Sequence, residues 1–175
     1  MEPTAVTWAV LGLLSTRSRS GYEIKNAVDR TIRHFWAASY GQIYPELKRL
    51  EEAGWIAGAD AANGARARRV YKITATGKRA LRDWLHGTET RIELRDESLL
   101  RLFFADQLPV GEALGLLAAR AEGYRQMHDY LCSLDDGSGV PDPPFVDVVY
   151  RWALDYCEWG AEWCSRQERR LRRAA

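Results

Sequence analysis

Between residues 39 and 74 the chain carries a helical apolar stripe, a helix-ending glycine, an Asn-Gly turn and a capping threonine, in that order. Ser39-Tyr40-Gly41-Gln42 is a capping box with Gln at its third position, which predicts a helix starting near Ser39. Within it Ile43, Leu47 and Leu50 fall at i, i+4 and i+7 and define one buried stripe, and Gly54 is the natural left-handed residue past its end. Pro45 has no N–H to offer the Gly41 carbonyl, so an irregular first turn is expected. Trp55-Ile56-Ala57 and Arg68 to Thr74 read as two strands around Asn63-Gly64, and Thr74 then caps a further helix to about Leu85.

Two helices precede this block. Ala5 to Leu14 is too apolar around its circumference for a surface helix and should be largely buried. Ser20-Gly21-Tyr22-Glu23 is a Ser-x-x-Glu box opening a second helix to about Phe35. Three helices, a hairpin and a fourth helix make a winged helix-turn-helix over residues 1–87. Residues 88–175 read as all helix, in segments Glu97 to Gln107, Pro109 to about Leu134, and about Phe145 to Arg172, with a Pro- and Gly-rich loop between the last two. The fold class expected is mainly α: an N-terminal winged helix-turn-helix with a two-stranded β wing, followed by an all-helical C-terminal dimerisation domain.

Net charge is +1 overall but divides unevenly: residues 1–87 carry 14 Lys and Arg against 8 Asp and Glu, and residues 88–175 carry 11 against 16. A basic front half suggests that this half meets a polyanion. No apolar run approaches a membrane span, and the Glu2-containing N-terminus lacks the basic start of a signal peptide. A cytoplasmic location is therefore expected, with Cys132, Cys157 and Cys164 reduced. There is no phosphate loop, nucleophile elbow or His-Glu-x-x-His, so an enzyme is not expected and no cofactor is implied.

With Ile43, Leu47 and Leu50 turned inward, Gly41, Pro45, Lys48 and Glu52 face outward, flanked by Gln42 and Arg49. A helix meeting DNA needs donors for base edges and phosphates with little bulk near the backbone. Gln42 suits an adenine edge and Lys48 a guanine or phosphate, while Tyr40 and Tyr44 offer hydroxyls to phosphate and Pro45 allows close approach. Arg66, Arg68 and Arg69 crowd one side of the expected turn, where cations of a wing would meet flanking phosphates.

Gly21-Tyr22-Glu23-Ile24, the run Gly41-Gln42-Ile43-Tyr44-Pro45-Glu46-Leu47-Lys48-Arg49-Leu50-Glu51, Gly54, and Arg69-Val70-Tyr71-Lys72-Ile73-Thr74 with Gly77 and Leu81 resemble the PadR family of transcriptional regulators over about residues 5–86. The rear half resembles the longer-tailed members in architecture. The resemblance implies a homodimer on double-stranded operator DNA with dyad symmetry, usually a repressor released by a small molecule. It also implies that Tyr22, Ser39, Gln42, Tyr44 and Lys48 lie at the DNA, with the wing arginines on phosphate. A winged-helix protein-interaction module is the second class; it would lack the basic wing and polar helix face.

The last helix is apolar over most of its circumference apart from a charged stripe through Asp147, Arg151, Asp155, Glu158, Glu162, Arg166 and Arg169, so two sides need cover. Trp152, Tyr156, Trp159 and Trp163 share one broad sector, read either as an aromatic dimer core or as a pocket stacking a flat aromatic effector. A metal- or redox-responsive regulator using Cys157, Cys164 and His128 is a further alternative.

Overall fold

Thr4 starts the first helix, α1 (Ala5–Thr16), through a capping box in which its hydroxyl accepts from the Thr7 amide and the Thr7 hydroxyl accepts from the Thr4 amide. The computed structural model describes residues 2–32, 40–61, 68–88, 96–134 and 144–174, and the chain divides into two units, Met1–Arg91 and Ile92–Ala175.

In the first unit the Ser20–Glu23 box forms: the Ser20 amide donates to Glu23 at 2.7 Å, and the Glu23 amide to the Ser20 hydroxyl at 3.3 Å. It opens α2 (Gly21–Arg30), which stops short of the expected Phe35 because the Thr31 hydroxyl turns back onto the Ala27 carbonyl at 2.7 Å and its backbone leaves helical geometry. Residues 33–35 lie outside the described residues. A 3-10 turn at Tyr40–Gln42 leads into α3 (Ile43–Glu52), so the irregularity expected of Pro45 is taken up before the regular helix begins. Gln42 is the N-cap of α3 without a side-chain cap bond; Ser39 lies outside the described residues.

Gly54 ends α3 with φ 70°, the Trp55 amide reaching the Leu50 carbonyl at 2.9 Å and the Gly54 amide the Glu51 carbonyl at 3.0 Å, which is a Schellman closure. Strands Ile56–Ala61 and Arg68–Ile73 pair antiparallel, Ile56 opposite Ile73 and Ala61 opposite Arg68; Asn63-Gly64 falls outside the described residues. A third strand that the sequence did not reveal, β1 (Arg19–Ser20), pairs on the other side of the return strand. With the hairpin strands as β2 and β3, the sheet order is β1-β3-β2. Thr74 caps α4 (Ala75–His86), accepting from the Gly77 amide at 3.1 Å. A Cβ on Gly77 would lie 2.2 Å from the Trp55 carbonyl oxygen, so glycine is what lets α4 close on the turn after α3.

Val10, Leu11 and Leu14 of α1, Ile24 of α2, the stripe Ile43/Leu47/Leu50 and Ile56 and Ile73 form one core. Trp55 packs against it, and Trp8 stacks on Trp84 with ring centres 5.1 Å apart.

The second unit holds α5 (Glu97–Phe103), α6 (Val110–Ser133) and α7 (Pro144–Ala174). The first of these was expected to reach Gln107 unbroken, but it gives way to a 3-10 turn at Ala105–Gln107. Leu108 is then extended, as a residue before proline prefers. Helices α6 and α7 join through Leu114, Leu117, Ala121 and Cys164, and further along through Leu131, Ala153 and Cys157. Gly160 lies under the Tyr124 ring, where a Cβ would come within 2.6 Å of it. Arg120, almost fully buried, donates to both Asp96 oxygens at 2.8 and 2.7 Å and to the Tyr124 hydroxyl at 2.6 Å, binding the α5 cap to α6. No helix among the described residues is long and apolar enough to cross a membrane.

Candidate nucleic-acid interface

The outward side of α3 carries Gln42, Tyr44, Pro45 and Lys48, all exposed, while Ile43, Leu47 and Leu50 are buried. Period 3.6 and the apolar stripe suffice to aim them. Tyr22, on the first turn of α2, is 66% exposed and Tyr44 57%. Their elements meet at Gly21, where an added Cβ would lie 2.6 Å from the Tyr44 ring; the missing side chain gives Tyr44 its seat on α2. Among the described residues Lys48 holds only a loose pair with Glu52 at 3.8 Å, both well exposed, which a phosphate can displace. Tyr40 opens the 3-10 turn, but its side chain, like Ser39 and Arg66, falls outside the described residues.

The two described wing arginines face both outward and back into the unit. Arg68 forms a close ion pair with Glu23, and Arg69 donates to Glu51 at 2.6 Å and to Asp60 at 3.2 Å. Glu51 also accepts from the Gly58 amide at 2.9 Å, so one carboxylate ties the end of α3 to both hairpin strands. Arg69 thus braces the wing against α3, and Arg68 braces it against the start of α2. The spacing of three arginines in four residues carried no sign of these acidic partners.

Glu23 therefore serves two elements at once. The Arg68 guanidinium, followed by the Ser20 amide, holds its carboxyl down at about 2 against an ordinary 4.5. A carboxyl lowered on folding adds stability that is complete above the ordinary value and is lost as pH falls through the folded one. Acid titration of unfolding should show this contribution fading between about pH 4.5 and 2. Glu23→Gln should flatten that part of the stability curve, and an unchanged curve would mean that the Arg68 ion pair does not form in solution.

A second polar cluster was not foreseen. Thr7, fully buried in the apolar α1, donates to Glu46, and Arg49 donates to Glu46 at 2.9 Å and to Thr7 at 3.3 Å. Arg49, read as flanking the outer face, turns inward and fixes α3 against α1. Helical spacing placed it on the margin of the stripe, and only a neighbouring helix could draw it in.

In the second unit Trp152, Tyr156, Trp159 and Trp163 form a ladder up α7, with ring centres 5.5, 6.2 and 6.3 Å apart in succession. Trp152 and Trp159 are each 53% exposed, and Tyr156 meets Tyr124 edge-on at 5.6 Å. The metal alternative is corrected here: among the described residues no three His, Cys, Asp or Glu side chains converge as ligands. Cys157 and Cys164 sit in separate core clusters, about 10.5 Å apart along the helix axis, and burial pushes both thiols up, away from the thiolate form. His128 instead faces Glu158, its Nε2 at 3.3 Å.

Known proteins match the chain along the same division. Residues 10–83 match the Transcriptional regulator PadR-like family, and residues 94–172 match the Virulence activator alpha C-term family. The negative transcriptional regulator PadR of Bacillus subtilis is 36% identical over 111 residues, 62% of this chain and 61% of that protein. The curated relatives are matched over 61% of their length or less. The structure of Bacillus subtilis PadR in complex with operator DNA is similar at a TM-score of 0.84 and 27% identity, over 96% of this chain and 99% of that one. The same protein in complex with p-coumaric acid gives 0.79 and 28%, again over 96% and 99%. The Vibrio cholerae virulence activator AphA shares the fold, at a TM-score of 0.74 and 23% identity over 98% and 100%.

Proposed function

We propose that this chain, which is similar to the PadR-like transcriptional regulator family over residues 10–83, is a member of that family and a homodimeric repressor that binds operator DNA with dyad symmetry. The observation that carries this reading is the outward row Gln42, Tyr44, Pro45 and Lys48 on α3, with Tyr22 beside it. This is the donor-rich face that a helix in a major groove requires. The N-terminal domain, residues 1–87, is the DNA-binding domain and works in the cytoplasm; Arg66 and Arg68 meet phosphates beside the groove, with Arg68 exchanging Glu23 for phosphate. Residues 88–175 dimerise through the aromatic side of α7. A small aromatic ligand releases the DNA; the p-coumaric acid complex of Bacillus subtilis PadR supports that class of effector.

A gel shift on the intergenic region upstream of the gene, with and without aromatic acids, tests the whole reading. Lys48→Ala is expected to weaken operator binding about tenfold, within the ~1–3 kcal/mol carried by a good base contact. Unchanged affinity at moderate salt would remove α3 from the interface.

A further inference from the structure

The last three turns of α7 have a chemistry unlike the rest of the second unit. Residues 92–164 carry 5 Lys and Arg against 14 Asp and Glu, whereas residues 165–175 carry five arginines and one glutamate. Arg166, Arg169, Arg170 and Arg173 stand at i, i+3, i+4 and i+7, so they share one face, and together they line a recess of about 320 Å³. Arg166 pairs with Glu162 at 3.4 Å and Arg172 with Glu168 at 2.7 Å. Among the described residues Arg169, Arg170 and Arg173 have no acidic partner.

Like charges three and four residues apart on a helix repel. The helix dipole favours cations only within the last turn, which accounts for Arg172 and Arg173; Arg166 has Glu162, and Arg169 and Arg170 are left unexplained. An anion seated along the row would relieve the repulsion. A small free anion is a poor occupant, because these guanidinium groups stand in water and no buried polar side chain closes the recess. A lipid surface is a poor one too, since Leu171 is the only large apolar side chain from 165 to 175 and an interfacial helix needs an apolar face. A polymer of phosphates suits the row: it spans about 10.5 Å of helix and gains by summing several weak, screened contacts.

We propose that Arg166, Arg169, Arg170 and Arg173 form a second, sequence-independent contact to the DNA backbone, outside the winged helix. This rests on the operator-binding reading above. The contact adds affinity and salt dependence and leaves base discrimination to α3.

The test uses the full chain and the variant R169Q/R170Q/R173Q, with fluorescence anisotropy on a labelled random-sequence duplex and on the operator fragment across a range of NaCl. The slope of log affinity against log salt should become shallower by about 2–3 per protomer, at roughly 0.9 for each phosphate that is no longer neutralised. Affinity should fall by one similar factor, tens-fold at moderate salt, on both duplexes, with helicity and sedimentation unchanged. A wild-type slope in the variant, while Lys48→Ala still weakens operator binding, overturns the tail contact and leaves the operator reading standing. Wild-type protein that binds neither duplex overturns both. A changed oligomeric state would make the row a contact between copies, and loss of binding to phosphatidylserine vesicles with an intact DNA slope would make it a membrane contact; either overturns the proposal.

Discussion

Arg49→Leu is expected to destabilise the first unit, because it strips a buried carboxylate of its cation. Its guanidinium supplies the cation to Glu46, whose side chain is 8% exposed, and removing it leaves that carboxylate buried with the Thr7 hydroxyl as its remaining donor. The urea midpoint should fall without a change in slope, and operator affinity should fall with it, because Glu46 and Arg49 also set where α3 sits on α1. The combination Thr7→Val, Glu46→Leu and Arg49→Leu should recover most of the stability, since an apolar replacement of the whole cluster leaves no charge unpaired. A single variant as stable as the parent would show that the cluster does not hold α3.

The second large effect concerns association. Trp152→Glu with Trp159→Glu is expected to convert a dimer into a monomer in sedimentation equilibrium while the helix content stays unchanged. Each indole is half exposed on α7, so covering what remains is worth roughly half of the ~1.5–3 kcal/mol for burying a whole large apolar side chain, and the two copies of the ladder together make a substantial contribution to association. Because the charges replace groups on the outer side of α7, the α6–α7 core through Ala153, Cys157 and Cys164 should survive. Operator binding should fall by a factor on the order of 10²–10⁴, the gain that joining two half-sites brings. A variant that stays dimeric would move the interface elsewhere and leave the ladder free to stack an aromatic effector.

What could be read from the residues was what local physics specifies. The stripe Ile43/Leu47/Leu50, the caps at Ser20 and Thr74, and the left-handed Gly54 are each decided within about one or two turns of chain, and each is found in the structure. The outward position of Gln42, Tyr44 and Lys48 follows from that stripe alone. The end of α2 was misplaced because a threonine's back-bond acts against an otherwise helical pattern, and the Glu97–Gln107 segment finishes in a 3-10 turn in place of a continuous α-helix.

The remaining features join residues far apart in the chain. Thr7 meets Glu46 across 39 positions, and β1 is two residues long and exists only because β3 lies beside it. The wing arginines show the division well. Their crowding was visible in the sequence and pointed to phosphate, but their ties to Glu23 and Glu51 depend on how α2 and α3 approach the sheet. Which face α3 turns outward was therefore legible from the residues themselves, Arg49 at its margin excepted, because side-chain direction follows from backbone period. Which of those charges are already partnered emerged only from the fold, because an ion pair depends on distance in space and long-range approach leaves no mark in local spacing.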